Sequence, residues 1–110
     1  MVYQIQSNED FASVLQNNPV VLMEFYASWC PHCKAFYPTL EAASVPLAKE
    51  GVFTAQTEVD TFADLANEYQ VEGIPTLILF QNGVQIARTT GGRDEQGVLS
   101  FVQNALGSNS

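Results

Sequence analysis

Val20-Val21-Leu22-Met23-Glu24-Phe25-Tyr26 is apolar at every position but Glu24. A strand with one wet face alternates apolar and polar residues. A nearly unbroken run belongs to a central strand covered on both faces. Such a strand requires a layered architecture with helices above and below a sheet.

The neighbouring segments fit that requirement. Val2-Tyr3-Gln4-Ile5 alternates and reads as a short edge strand. Ser7 is placed as a helix N-cap, with Asp10 at N3 as a short-armed capping box. Phe11, Val14 and Leu15 follow at helical spacing, and Asn17-Asn18-Pro19 ends that helix because the residue before proline avoids α geometry. A second helix should open near Pro31, which suits an early helical position, and bury Phe36, Tyr37, Leu40 and Ala43. Pro38 removes the donor for the Lys34 carbonyl and should kink it. Pro46 should stop or bend it again near Ala43 to Val45.

Val52 to Val59 reads as the next strand. Asp60-Thr61 should begin a short helix through Tyr69, with Thr61 as N-cap and Asp64 three residues on. Thr76 to Gln81 is another apolar strand, and Asn82-Gly83 is a two-residue hairpin signal that pairs it with Val84 to Thr90. Gly91-Gly92 breaks that strand. Asp94 opens a last helix that buries Val98, Leu99, Phe101, Val102 and Leu106, before a frayed tail over Gly107 to Ser110. The order is βαβαβαββα: parallel crossovers first, then an antiparallel pair. The 110 residues fit a single domain, 1–110.

The chemistry of the chain concentrates in Trp29-Cys30-Pro31-His32-Cys33, which holds its only two cysteines. At 46% apolar residues the chain can form a core without disulfide staples, so the pair is better read as reactive than as structural. Cys30 would sit exposed at a helix N-terminus. There the free N–H groups and the helix dipole favour a thiolate over the thiol, whose ordinary pKa is about 8.5. Cys33, one turn on, would lie deeper and attack whatever Cys30 had captured. The alternative is half of a zinc site, but a tetrahedral site needs four ligands and only His32 remains as a soft donor. No metal or cofactor is therefore expected, short of a cluster shared between chains.

Net charge is −8 with four basic residues, which makes nucleic acid and anionic membrane surfaces poor partners. No apolar run approaches the roughly 18–20 residues of a membrane span. Residues 1–10 carry no signal-peptide pattern, so the expected location is cytoplasmic unless a leader has been removed. A monomer is expected.

Across nearly its whole length the chain resembles the thioredoxin family. The residues that carry the likeness are Glu24 through Lys34, then Pro38, then Gly73-Ile74-Pro75-Thr76, Asn82-Gly83 and Gly91. The resemblance implies a thioredoxin fold of α/β class, a central mixed five-stranded sheet flanked by four helices. It implies a cis Ile74–Pro75 bond facing the cysteines. It also implies a thiol–disulfide oxidoreductase acting on protein thiols and disulfides, recharged by a partner reductase or oxidase. By the same likeness Glu24 would take the proton of Cys33. Trp29, Pro31, Ile74, Pro75 and Gly91 would line a shallow apolar groove for an extended substrate, added as a strand beside Pro75.

Two departures stand out. The dipeptide between the cysteines is Pro-His, as in DsbA-type oxidases, rather than Gly-Pro or Gly-His. A partly positive His32 would favour the dithiol and make the couple more oxidising, between about −270 mV for thioredoxin and about −120 mV for DsbA. Gln56 stands where many thioredoxins place a lysine beside the buried carboxylate, so Glu24 should have a raised pKa. Each residue also has a plainer role: His32 as solvated surface, Glu24 on a wet strand face, the groove residues as core. The competing function is a non-catalytic redox-sensing or protein-binding module on the same fold.

Overall fold

The computed structural model describes residues 1–108. The chain folds as β1 (Tyr3–Gln4), α1 (Asn8–Asn17), β2 (Val20–Tyr26), α2 (Pro31–Lys49), β3 (Val52–Glu58), α3 (Ala63–Glu68), β4 (Thr76–Gln81), β5 (Val84–Thr90) and α4 (Glu95–Ser108). The βαβαβαββα order is as expected. The sheet runs β1-β3-β2-β4-β5, so the apolar strand β2 is its centre, parallel to β3 and antiparallel to β4.

Period-two alternation divides β2 between two cores. Leu22 packs with Phe36, Leu40, Leu47, Leu77, Leu79, Val98 and Val102, on the side covered by α2 and α4. Val21, Met23 and Phe25 pack with Phe11, Val14, Leu65, Ile78 and Phe80 on the other side, under α1 and α3. Glu24 shares the parity of Leu22, so it points toward α2, the helix that carries the cysteines.

Local chemistry sets most boundaries. The Ser7 side chain accepts the Asp10 N–H at 2.9 Å, as a cap should. The return arm differs from a capping box: Asp10 Oδ2 takes the Gln6 N–H at 2.8 Å and the Tyr3 hydroxyl at 2.9 Å, rather than the N–H of Ser7. Replacing Ser7 by Ala should destabilise the protein by about 1 kcal/mol, read as a lower urea midpoint at unchanged slope. Asn82 and Gly83 both have positive φ, 53° and 80°, the backbone of a two-residue type I′ hairpin. Between Leu79 and Phe80 the β4–β5 register shifts, leaving Ile86 as an extra residue in β5.

Several expectations are corrected. Of the stop or bend expected at Pro46, the stop does not occur: α2 continues to Lys49. The carbonyls that Pro38 and Pro46 leave without donors belong to Lys34 and Ala42, both exposed residues that water can serve. Buried Ala43, Ser44 and Leu47 hold the last turns down. Tyr37 is exposed, its hydroxyl donating to Glu41 at 2.9 Å. Thr61 is not the cap of α3: its N–H and hydroxyl both go to the Glu58 carboxylate, and the helix starts two residues later behind Phe62 with no side-chain cap. The tail is shorter than expected, because Gly107 and Ser108 remain in α4. The rest of that tail, 109–110, lies outside the described residues.

Candidate active site

The central strand delivers its chain to the start of α2 through Ala27-Ser28-Trp29, and Cys30 becomes the N-cap. Its Sγ accepts the Cys33 N–H at 3.2 Å, so one unpaired donor of the first helical turn is aimed at the sulfur. Pro31 fills the first helical position, where its missing N–H is no loss. Both sulfurs are unbonded thiols.

Cys30 is not exposed as the sequence suggested. It is only 4% accessible, the same as Cys33, and packs in a small cluster with Ala27 beside Tyr26, Val59 and Ile74. Position rather than depth separates the two sulfurs. Cys33 borders an open surface pocket of about 310 Å³ together with Gln56, Tyr26, Lys34 and Tyr37. Its pKa is pushed up to about 12, chiefly by burial and then by its thiol's hydrogen bond to Cys30.

Glu24 lies behind this pair, 1% accessible. On the β3 side it faces Gln56, whose Nε2 donates to Oε1 at 2.8 Å. On the β4 side it faces Leu77, which offers nothing polar. Its Oε2 has no hydrogen-bond partner among the described residues. Burial raises its pKa to about 7, and the amide of Gln56 offsets part of that. A neutral amide stabilises the carboxylate less than a cation would, so Gln56 leaves most of the effect of burial uncompensated.

The Ile74–Pro75 bond is cis. Ile74, Pro75 and Gly91 line a cleft of about 450 Å³ with His32, Phe36 and Arg93. Gly91 has φ +99° and donates its N–H to the Pro75 carbonyl at 2.8 Å, which ties the end of β5 to the proline. His32 is exposed on the cleft wall, and no hydrogen bond joins its ring to either sulfur among the described residues. Trp29 and Pro31, both exposed, do not line this cleft. Phe25 is core and Lys34 is exposed.

Trp29 is held on the opposite rim, where its Nε1 donates to Asp60 Oδ2 at 2.7 Å. Glu58 takes the Ser28 N–H at 3.1 Å with one oxygen and Thr61 with the other, tying the loop before the cysteines to the loop after β3. Sequence reasoning singles out neither acid. Their one signal is the pair of carboxylates flanking Val59 at a strand end.

Comparison with known proteins agrees with this geometry. The protein-family model described as Thioredoxin matches residues 2–104. The thioredoxin of Chlamydia trachomatis is 34% identical over 90% of this chain and 94% of its own length. Protein disulfide isomerase-like 1-4 of Arabidopsis thaliana is 39% identical over 89% of this chain, which spans only 16% of that relative's length. Among solved structures, a mutant thioredoxin from Halobacterium salinarum superimposes with a TM-score of 0.82, at 33% identity, over 94% of this chain and 88% of that one. No helix among the described residues is long and apolar enough to cross a membrane, and no cluster of three or more potential metal ligands occurs among them.

Proposed function

The chain belongs to the thioredoxin family, and from that membership we propose that Cys30 is the attacking sulfur and Cys33 the resolving one of a thiol–disulfide oxidoreductase. The observation that carries this assignment is the N–H of Cys33 pointing at Cys30 Sγ at the head of α2.

The steps follow from the environments. Cys30, as thiolate, attacks one sulfur of a substrate disulfide, and the other substrate sulfur leaves as a thiolate and takes up a proton. Cys33 in the resting dithiol holds its proton firmly, with a pKa pushed up to about 12. Two of the influences that keep it high are the hydrogen bond to Cys30 and the charge on Cys30. Both vanish when the Cys30 sulfur enters a mixed disulfide, so capture of substrate itself readies the second sulfur. Glu24, whose pKa is raised to about 7 and whose charge is one of the influences on Cys33, is then a base able to accept that proton. Cys33 attacks Cys30, the intramolecular disulfide forms, and the second substrate sulfur leaves. Two electrons have passed from the dithiol to the substrate. The reverse sequence oxidises a substrate dithiol.

A protein substrate would lie as an extended segment in the cleft beside Ile74. The backbone N–H and C=O of that residue have no hydrogen-bond partner among the described residues. A reductase or an oxidase elsewhere returns the pair to its working state, and the chain acts as a monomer in this scheme.

The test of the reaction is insulin reduction by dithiothreitol, which the purified protein should accelerate. A rate equal to the uncatalysed one would favour the non-catalytic binding module. We further propose an oxidising lean relative to ordinary thioredoxin, set by His32 on the cleft wall. His32→Gly should move the couple to a more negative potential by about 30 mV, equivalent to about 1.4 kcal/mol. Equilibration of both proteins with glutathione buffers checks it, and an unchanged or less negative value rejects the tuning role.

A further inference from the structure

Three consecutive residues at the end of β3 hold the turn that presents Cys30. The Val59 N–H donates to the Tyr26 carbonyl at 2.8 Å, where β2 ends. The Val59 side chain packs against the cluster of Ala27, Cys30 and Cys33. Asp60 takes the Trp29 indole N–H. Between these contacts lies Ser28, an exposed residue whose N–H goes to Glu58 Oε2 at 3.1 Å, across 30 positions of sequence. The other oxygen, Oε1, accepts the Thr61 N–H at 2.7 Å and the Thr61 hydroxyl at 3.0 Å. Burial pushes the Glu58 pKa up, but the donors from Thr61 and Ser28 outweigh it and hold the carboxyl below its usual range. The turn itself is closed by one long bond, from the Cys30 N–H to the Ala27 carbonyl at 3.2 Å.

We propose that Glu58 is a positioning residue that, through Ser28, fixes where the Cys30 sulfur sits at the head of α2. The inference rests on the oxidoreductase function proposed above. Water can serve the N–H of an exposed residue, so what Glu58 adds at Ser28 is location rather than a partner. A hydrogen bond to an ionised carboxylate is roughly twice as strong as a neutral one. It ties the turn to the same strand end that sets Val59 against both sulfurs. Cys30 Sγ has to keep two relations at once: it accepts the Cys33 N–H at 3.2 Å, and it meets the substrate beside Ile74. A displacement of about 1 Å at a reacting atom can cost about a hundredfold in rate, so a turn free to shift by part of that distance slows attack severalfold. The hydrogen bonds of the Glu58 carboxylate go to the two loops and none goes to a sulfur, so its influence passes through the turn.

Glu58→Asp isolates the tie to Ser28. Its shorter side chain keeps the charge and still reaches Thr61 three positions on, as aspartate does in local turns, but it does not span to Ser28 as well. Thr61→Val is the companion variant: it removes the local hydroxyl and leaves the Ser28 bond in place. Alkylation by iodoacetamide at pH 7 reads Cys30 alone, since Cys33 holds its proton with a pKa pushed up to about 12. In Glu58→Asp that rate should fall about threefold, with its rise displaced to higher pH, because the Cys33 N–H is less well aimed at the sulfur. The first attack on a disulfide peptide, followed by stopped flow, should fall about tenfold. Thr61→Val should match the unaltered protein in both measurements. Aspartate retains the negative charge, so an altered field at Cys30 does not account for the fall. Reduction of the same peptide by the unaltered protein establishes the oxidoreductase function separately. Unchanged or faster Cys30 reactions in Glu58→Asp, whatever its urea midpoint, or an equal fall in Thr61→Val, would each overturn the proposal.

Discussion

Cys33→Ser should accumulate as a covalent mixed disulfide through Cys30 whenever a disulfide substrate is present. The first attack needs only Cys30 and the donor aimed at it, and that donor is the backbone N–H of residue 33, which serine retains. The second attack needs a sulfur one turn along the helix. A well-placed intramolecular nucleophile acts at an effective concentration of about 10⁵ M or more, so external thiol at millimolar level is no substitute and turnover should fall at least about a thousandfold. Mass spectrometry of the substrate-challenged variant would show one substrate molecule per chain, released by dithiothreitol. Recovery of the variant with Cys30 free would refute the assignment of roles.

Glu24→Gln should produce the second large effect, and in two readouts of opposite sign. Stability is the first. The folded pKa of Glu24 is raised from 4.5 to about 7, so between those values the folded state keeps a proton that the unfolded state gives up. Its stabilising contribution is complete below about pH 4.5 and is lost as pH rises through about 7. The loss is on the order of 3 kcal/mol. The unaltered protein in its dithiol state should therefore be weaker at pH 8 than at pH 5 in urea unfolding. Glu24→Gln should remove that part of the slope and be the more stable protein at pH 8. Catalysis is the second readout. The resolving step of the unaltered protein should quicken as pH rises through about 7, as the carboxylate form becomes available, and the variant should lack this rise and resolve more slowly. Stopped-flow separation of the two steps would show the first attack affected less. Parallel pH–stability curves, or equal resolving rates, would remove the role of Glu24.

The parts of this molecule that can be read from the chain are those that local chemistry decides. Strands β2, β4 and β5 begin and end where Pro19, Pro75, Asn82-Gly83 and Gly91 dictate. Glu24 is visible because a carboxylate inside an apolar run has no neutral explanation, and its register partner Gln56 follows from the parallel pairing with β3. What escapes is decided between loops distant in sequence. Thr61 looks like a cap until Glu58, itself engaged with Ser28 across the fold, takes both of its donors. Cys30 looks exposed until Ile74, more than forty positions later, closes over it. Pro46 looks able to stop the helix until buried neighbours hold its turn in place.

The extra residue Ile86 in β5 also bears on how the protein behaves when concentrated. β5 is seven residues long and forms the margin of the sheet, with Val84 63% accessible. A long, flat margin of that kind templates the pairing of one molecule with the next, the first step toward fibrils. The irregularity at Ile86 twists the margin out of register. Arg88 turns its guanidinium to the carbonyls of Tyr69 and Gln70 and places a positive charge along the same margin. Two neighbouring molecules meeting there would find mismatched donors and acceptors and facing like charges, a built-in resistance to edge-to-edge aggregation.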